Sequence, residues 1–359
     1  MKLKENKRLY PALAILLLFF IAGEILIFGL TDLEEDKQFS DEFLASYKVY
    51  SLVIPAKADF AGEAVPVNRM DVRENLEREM LVNTYWQSST LLMLKRANRW
   101  FPEIEPILKK NGVPEDFKYL ALIESGFTLS VSPSGAAGFW QFLEKTGKEY
   151  KLEINDQIDE RYHVQKSTEA ACKYLKDAHA KLKSWTLVAA AFNMGLSGIT
   201  EQAKNQKTRD YFNLSLNQET GRYVYRILAM KIIHSKPSDY GFKLRKKDLY
   251  PKIPTYTVSL DSGMVDLVDL AYREGVSFKI LKLLNPWVKK TKLQVTGSAN
   301  LKILFPEKSF SDQNGLMAQP EDFGFNGPIK GREGKLTEAD FMAKSDSTLQ
   351  WQNEGKQIF

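Results

Sequence analysis

Glu124 is the residue whose surroundings most suit chemistry. Its neighbours Ala121, Leu122 and Ile123 are apolar. The spacing of Phe117, Tyr119, Leu120, Leu122 and Ile123, after Pro114 with Glu115 and Asp116, predicts a helix ending near Glu124-Ser125-Gly126. A carboxylate there faces the negative end of the helix dipole, and apolar neighbours withhold water. Both effects raise its pKa. A carboxylic acid that stays protonated near neutral pH can protonate a glycosidic oxygen. The plain structural alternative is a partly exposed Glu that ends a helix.

Three further segments carry polar or aromatic side chains at turns. In Gly135-Ala136-Ala137-Gly138-Phe139-Trp140-Gln141-Phe142, the glycines let a sugar approach the backbone, Trp140 offers a stacking face and Gln141 offers hydrogen bonds. The alternative is a tight turn with Trp140 in the core. Ala190-Ala191-Phe192-Asn193-Met194-Gly195 places Asn193 at a helix end, where a C-cap is the alternative. Glu219-Thr220-Gly221-Arg222-Tyr223-Val224 puts Tyr223 at a helix start, where a half-buried packing tyrosine is the alternative.

The elements that must hold these residues are helical. One helix is expected through Leu76, Met80, Tyr85, Leu91 and Leu94, ending at Trp100-Phe101-Pro102. A second should run through Ile104, Ile107 and Leu108 to Asn111-Gly112. After a Ser/Pro/Gly loop at 130–138, Ser167 reads as an N-cap, and two more helices follow at 185–192 and 223–233. The region 72–240 therefore reads as an all-helical domain behind a linker at 31–71. Beyond Pro251 the pattern becomes strand, helix, helix, strand over 251–307: Tyr256-Thr257-Val258, then Val265 to Ala271, then a helix capped by Ser277, then Leu301-Lys302-Ile303-Leu304. The polar, Gly-rich stretch 308–359 reads as a flexible tail.

Composition narrows the function classes. A net charge of +5 over 359 residues, with both signs interspersed, makes no nucleic-acid stripe. One cysteine excludes an internal disulfide, and three scattered histidines give no protein-built metal site. Lys2, Lys4, Lys7 and Arg8 precede an apolar run at 9–30, and Asp32, Glu34, Glu35 and Asp36 follow it. That pattern reads as a single-pass membrane anchor with the remainder outside the cytoplasm. A cleaved signal peptide ending near Ile21-Ala22-Gly23, which would release the chain to the periplasm, is the rival.

Taken together, the segments resemble the lytic transglycosylases of the goose-lysozyme-like superfamily. Ala121-Leu122-Ile123-Glu124-Ser125-Gly126-Phe127 resembles its Glu-Ser motif, and Gly138-Phe139-Trp140-Gln141 its Gly-Leu-Met/Trp-Gln motif. Ala191-Phe192-Asn193-Met194-Gly195 and Glu219-Thr220-Gly221-Arg222-Tyr223-Val224 resemble its two later motifs, and Asp159-Glu160-Arg161 lies in order between them. The resemblance implies a mainly α, lysozyme-like fold and cleavage of peptidoglycan glycan strands without a cofactor. It makes Glu124 the acid and Ser125, Trp140, Gln141, Asn193 and Tyr223 substrate-binding residues. The region 256–306 resembles a small α+β LysM-like glycan-binding module, with Ser262-Gly263-Met264-Val265 off its pattern. Two features depart from the family: Phe192 stands where a tyrosine is usual, and no cysteine near the apolar run can accept a lipid. A hydrolase on the same fold, a silent glycan-binding protein and a membrane-anchored helical adaptor remain as alternatives.

Overall fold

The computed structural model describes residues 34–42, 50–260, 262–296 and 301–317. The apolar run at 9–30 and the tail beyond 317 lie outside the described residues, with the expectations attached to them. Among the described residues no helix is long and apolar enough to cross a membrane. The chain divides into a unit Met1–Val53, which holds an exposed helix α1 at 34–42, and a unit Ile54–Phe359. The second unit contains the candidate site.

This unit opens on a hairpin rather than a linker. Strands β1 (Ala58–Phe60) and β2 (Glu63–Val65) pair antiparallel across a turn in which Ala61 and Gly62 both take positive φ. Phe60 is fully buried, its ring 5.2 Å from that of Phe117. The Ala61 N–H donates to Asp116 at 2.7 Å. The Glu63 carboxylate accepts from the Thr186 N–H at 3.0 Å and from its hydroxyl at 2.8 Å. An acid at a helix N-terminus satisfies amides that have no partner within the helix. The linker expectation over 31–71 is corrected for its part from Ile54 onward, because Phe60 and Glu63 find their partners in the folded domain.

Helices α2 (Met70–Tyr85) and α3 (Gln87–Lys110) break at Trp86, not at Pro102. Helix α3 continues through Pro102 and Pro106. Each proline removes a backbone donor. The buried stripe Leu94, Ala97, Phe101, Ile104 and Leu108 holds the helix together against its neighbours. The domain continues with α4 (Phe117–Ser125), α5 (Glu144–Glu149), α6 (Val164–Leu182), α7 (Trp185–Met194), α8 (Leu196–Asn205) and α9 (Gln218–Ser235). Ser167 is no N-cap. It lies inside α6, fully buried, with its hydroxyl bonding back to the His163 carbonyl at 2.8 Å. In α7 the fully buried Ala189, Ala190 and Ala191 allow close approach, and α9 packs against α2, α4 and α7.

The C-terminal module has two more strands than expected. Strand β3 (Thr255–Ser259) pairs with β6 (Lys302–Pro306), and β4 (Gly263–Asp266) with β5 (Lys292–Val295), both antiparallel. Between β4 and β5 run α10 (Leu267–Arg273) and α11 (Phe278–Leu284). Val265 belongs to β4, not to the first module helix. Lys292-Leu293-Gln294-Val295 alternates between exposed and buried over only four residues, too short a pattern to stand out in the sequence. Asn285 is fully buried and ties α11 to β6: it donates to the Leu304 carbonyl and accepts from the Leu304 N–H, both at 2.8 Å. The module also runs past 307, through α12 (Lys308–Gln313) to Met317, which bridges to Val276.

Candidate active site

Helix α4 ends at Gly126, whose φ of +55° turns its N–H back to the Leu122 carbonyl at 2.8 Å. Phe127 follows with φ +52°. This left-handed pair reverses the chain just after Glu124 and leaves the carboxylate at the helix end. Tyr223, from α9, donates its hydroxyl hydrogen to Glu124 Oε1. Burial pushes the Glu124 pKa above the usual carboxylate range. The Tyr223 hydrogen bond and the Arg226 charge oppose that shift, while the nearby Glu219 adds to it. Burial, and then the Glu124 charge, push Tyr223 well above the usual phenol value, so its hydroxyl keeps its proton as a donor. Tyr223 is 1% exposed, so it reaches the acid rather than a ligand. Its hydroxyl is turned to Glu124, where a substrate contact was expected.

Ser125 is likewise turned inward. Its hydroxyl lies 3.1 Å from the Phe139 carbonyl and 3.2 Å from the Ala121 carbonyl, and accepts from the Phe127 N–H at 3.1 Å. With those partners its hydroxyl joins the end of α4 to the loop at 130–142, although Ser125 also borders the cleft beside that helix end. Trp140 is also corrected. It is fully buried, its indole N–H donates to the Thr168 hydroxyl on α6 at 2.9 Å, and its ring lies 6.2 Å from Phe192. An indole needs one acceptor, and an interior hydroxyl supplies it. No face is left for a sugar, so Trp140 anchors the loop.

Gln141, set between the buried Trp140 and Phe142, stays partly open. Its φ is +48°, a strained value for a residue with a side chain. Its amide nitrogen donates to the Gly138 carbonyl at 2.9 Å and the Ser130 carbonyl at 3.1 Å. Its side-chain carbonyl takes no protein donor among the described residues. Gly138 has φ +79°, and a Cβ there would sit 1.9 Å from the Arg161 carbonyl oxygen, so only glycine fits. Arg161 in turn donates to the Gly135 carbonyl at 2.9 Å and the Phe142 carbonyl at 3.1 Å. It is paired with Asp159 at 2.7 Å.

Asn193 stands near the end of α7, but Gly195 does the capping, with its N–H on the Ala191 carbonyl at 2.8 Å. The Asn193 oxygen accepts from the Thr220 hydroxyl at 2.7 Å, and its amide donates to Glu219 at 3.0 Å. Its second amide hydrogen has no protein acceptor among the described residues. Of the expected site residues, Glu124, Gln141 and Asn193 keep side-chain polar atoms without a protein hydrogen-bond partner among the described residues.

Beside the end of α4 opens a cleft of about 570 Å³, walled by Trp86, Arg96, Ile123, Gly126, Glu219 and Arg226 among others. Trp86, at the break between α2 and α3, is 69% exposed there. Arg96 donates to the Gly126 carbonyl at 3.1 Å and Arg226 to the Ile123 carbonyl at 3.4 Å. Both cations therefore serve carbonyls of the last turn of α4, which lack partners within the helix. Sequence reasoning did not assign Trp86, Arg96, Glu219 or Arg226 to the site. Glu219 had a signal, since it stands in the same motif as Tyr223. Trp86 comes from the break between α2 and α3, and Arg96 and Arg226 from helix faces that only the packing brings to the end of α4.

Among the described residues no three His, Cys, Asp or Glu side chains converge as metal ligands. Burial pushes the Cys172 thiol up to about 12, and His163 and His234 down to about 4, so none of the three is poised to react near neutral pH.

Residues 102–215 match the transglycosylase SLT domain, and residues 256–309 match the soluble lytic transglycosylase C-terminal LysM-like domain. Membrane-bound lytic murein transglycosylase D from Escherichia coli strain K12 is 27% identical over 284 residues, covering 77% of this chain. The protein of the same name from Escherichia coli O6:H1 aligns with the same identity and coverage. The alignment spans 61% of the length of these relatives. The chain therefore carries a transglycosylase SLT domain in its helical region, followed by the LysM-like domain of the soluble lytic transglycosylases.

Proposed function

We propose that this chain is a lytic transglycosylase that cuts the β-1,4 bond between N-acetylmuramic acid and N-acetylglucosamine in peptidoglycan, with Glu124 as its acid. The observation that carries the reading is a carboxyl group at the end of α4 whose pKa burial raises and whose one protein hydrogen bond among the described residues comes from the buried Tyr223. Glu124 donates its proton to the glycosidic oxygen as the bond from that oxygen to the muramic C1 breaks. The Glu124 carboxylate then takes the proton of the sugar's own C6 hydroxyl while that oxygen bonds to C1. The product is a 1,6-anhydromuramic end, and no water is consumed. Asn193, through its second amide hydrogen, polarises the muramic N-acetyl group. Gln141 offers its carbonyl oxygen to the same strand.

In this reading the LysM-like module adds affinity for the strand, and the apolar run at 9–30 holds the chain on the membrane with the enzyme outside. The relatives are membrane-bound by name. Retention of the full chain in the pellet after alkaline extraction tests the anchor. A mature protein starting near Glu24 in a soluble fraction would refute it.

One observation favours a second reading. Glu219 is an exposed carboxylate that lines the cleft beside the end of α4 and acts electrostatically on Glu124. A second carboxylate can activate water, as in inverting glycosidases, which would make the enzyme a hydrolase. Mass spectrometry of muropeptides released by the purified protein decides. Anhydromuramic ends support transglycosylation, reducing ends support hydrolysis, and no release points to a silent binding protein.

A further inference from the structure

We propose that the C-terminal module positions the Gln141 loop, acting through residues 154–163, in addition to any contact it makes with glycan; what the loop does rests on the reading above. The module is seated on that segment by backbone as well as side chains. Ile158 and Val288 form an antiparallel bridge. The Asp159 N–H donates to the Trp287 carbonyl and the Lys289 N–H to the Gln157 carbonyl, each at 2.7 Å. The Gln157 side chain accepts from the Gln294 N–H in β5 at 2.8 Å, and the Lys289 ammonium donates to the Asn155 carbonyl at 2.7 Å. Ile158, though it belongs to the helical domain by sequence, is 4% exposed inside the module's core, with Tyr162 packed against the same cluster. The His163 and Trp287 rings face each other at 5.5 Å.

From this seat a short chain of contacts leads to the candidate site. Asp159 holds Arg161, and Arg161 donates to the carbonyls of Gly135 and Phe142 at the two ends of the loop. The Arg161 carbonyl packs where Gly138 lacks a side chain, and the Gly138 carbonyl accepts from both the backbone and the side chain of Gln141, at 3.1 and 2.9 Å. A residue with a side chain keeps a positive φ only where its surroundings over-determine it. Gln141 is such a residue, and the module supplies part of that determination. Without the module, Ile158 would face water, and the Asp159 N–H and Gln157 carbonyl would lose their partners.

The connection between the two regions is laid down rather than free. The Tyr250 N–H donates to the Lys95 carbonyl at 3.3 Å, and Asn98 and Arg99 donate to the carbonyls of Tyr250 and Pro251 at 3.0 and 2.9 Å. The module is therefore held to the helical domain at two separate places. A tether that merely raised the local concentration of glycan would need neither.

The test uses the full chain with Ile158→Ala and the conservative Ile158→Val. Hydrogen exchange is followed at the Ala137 and Gln141 amides and, for comparison, in α4 and α9. Turnover is followed on a soluble tetrasaccharide muropeptide. Expected for Ile158→Ala is about ten-fold faster exchange at Ala137 and Gln141 with α4 and α9 unchanged. With it comes a fall in kcat of about ten-fold, since small misplacements at a site are costly, and a KM within about two-fold of the parent. Ile158→Val should restore both. Unchanged exchange at Ala137 and Gln141, or an equal rise across α4 and α9, would overturn the proposal. If Ile158→Ala does not fold, Gln157→Ala, which removes only the side-chain acceptor of the Gln294 amide, carries the same readouts. The exchange result stands even if the parent protein shows no turnover, in which case the functional reading fails and not the positioning one.

Discussion

In the helical domain, Phe117, Trp140 and Tyr223 are buried by elements of the same domain, and Glu124 receives its hydrogen bond from α9. The core of the C-terminal module is built differently. Its small sheets and short helices close around Ile158, supplied by the other region. Small domains bury a smaller share of their surface and gain from any apolar group a neighbour can add. The boundary near 240–251, visible as a change of pattern in the sequence, is therefore not a packing boundary. The region holding the acid shares a seam with the region expected only to hold glycan.

The largest effect should fall on the side of the comparison that carries the chemistry. Glu124→Gln keeps the shape and the acceptor for Tyr223 but has no proton to give. Digestion of sacculi is expected to fall by about two orders of magnitude or more. Near-parental digestion would remove Glu124 from the mechanism. The same variant makes a stability prediction. The folded pKa of Glu124 is raised, so its contribution to stability is fully present below the unfolded carboxylate value and is lost as pH rises through the raised value. A glutamine does not ionise, so the variant should gain stability relative to the parent across that window and not below it. Melting curves taken at acid and at alkaline pH check the difference.

The seam itself is tested by ending the chain after Pro254. That leaves the Tyr250 and Pro251 contacts in place and uncovers Ile158. The helical domain is expected to lose about 2 kcal/mol, the scale of one large aliphatic side chain brought back to water. Urea denaturation measures it. An unchanged midpoint would show that the helical domain stands alone and that the two regions are independent after all.

A smaller effect, confined to the helical domain, is expected from Tyr223→Phe. The hydroxyl lowers the Glu124 pKa against the effect of burial. Without it the acid should hold its proton to higher pH, so the basic limb of the pH–activity profile should move up. A limb that stays in place or moves down would mean that Tyr223 does not act through Glu124. Smallest of all should be Phe192→Tyr. Phe192 packs against Tyr174 at 5.3 Å, Phe142 at 5.9 Å and Trp140 at 6.2 Å. Glu124 already has its donor in Tyr223. The added hydroxyl is therefore expected to leave the pH profile unchanged and at most to cost about 1–3 kcal/mol through overpacking. A profile shifted to lower pH at an equal melting temperature would show that α7 tunes the acid as well as α9.

Much of this was legible in the chain. The apolar run before Glu124 and the glycine after Ser125 marked the helix end at which Glu124 stands, because helix ends and turns are local in sequence. The two lobes were legible as well, since helical periodicity gives way to short strands after Pro251. What the side chains do once gathered was not local. Trp140, Ser125 and Tyr223 read as ligand-facing by type, yet each is buried against a partner distant in sequence: Thr168, the Phe139 carbonyl, Glu124. Trp86, Arg96 and Arg226 gave no sign of belonging to a cleft, because a residue on one helix carries no record of which other helix will face it. Phe60 and Ile158 lie in segments that look unremarkable until another element covers them. Position along a helix is set by neighbours in sequence, but burial is set by neighbours in space, and burial decides whether a polar or aromatic group meets substrate or supports the residue that does.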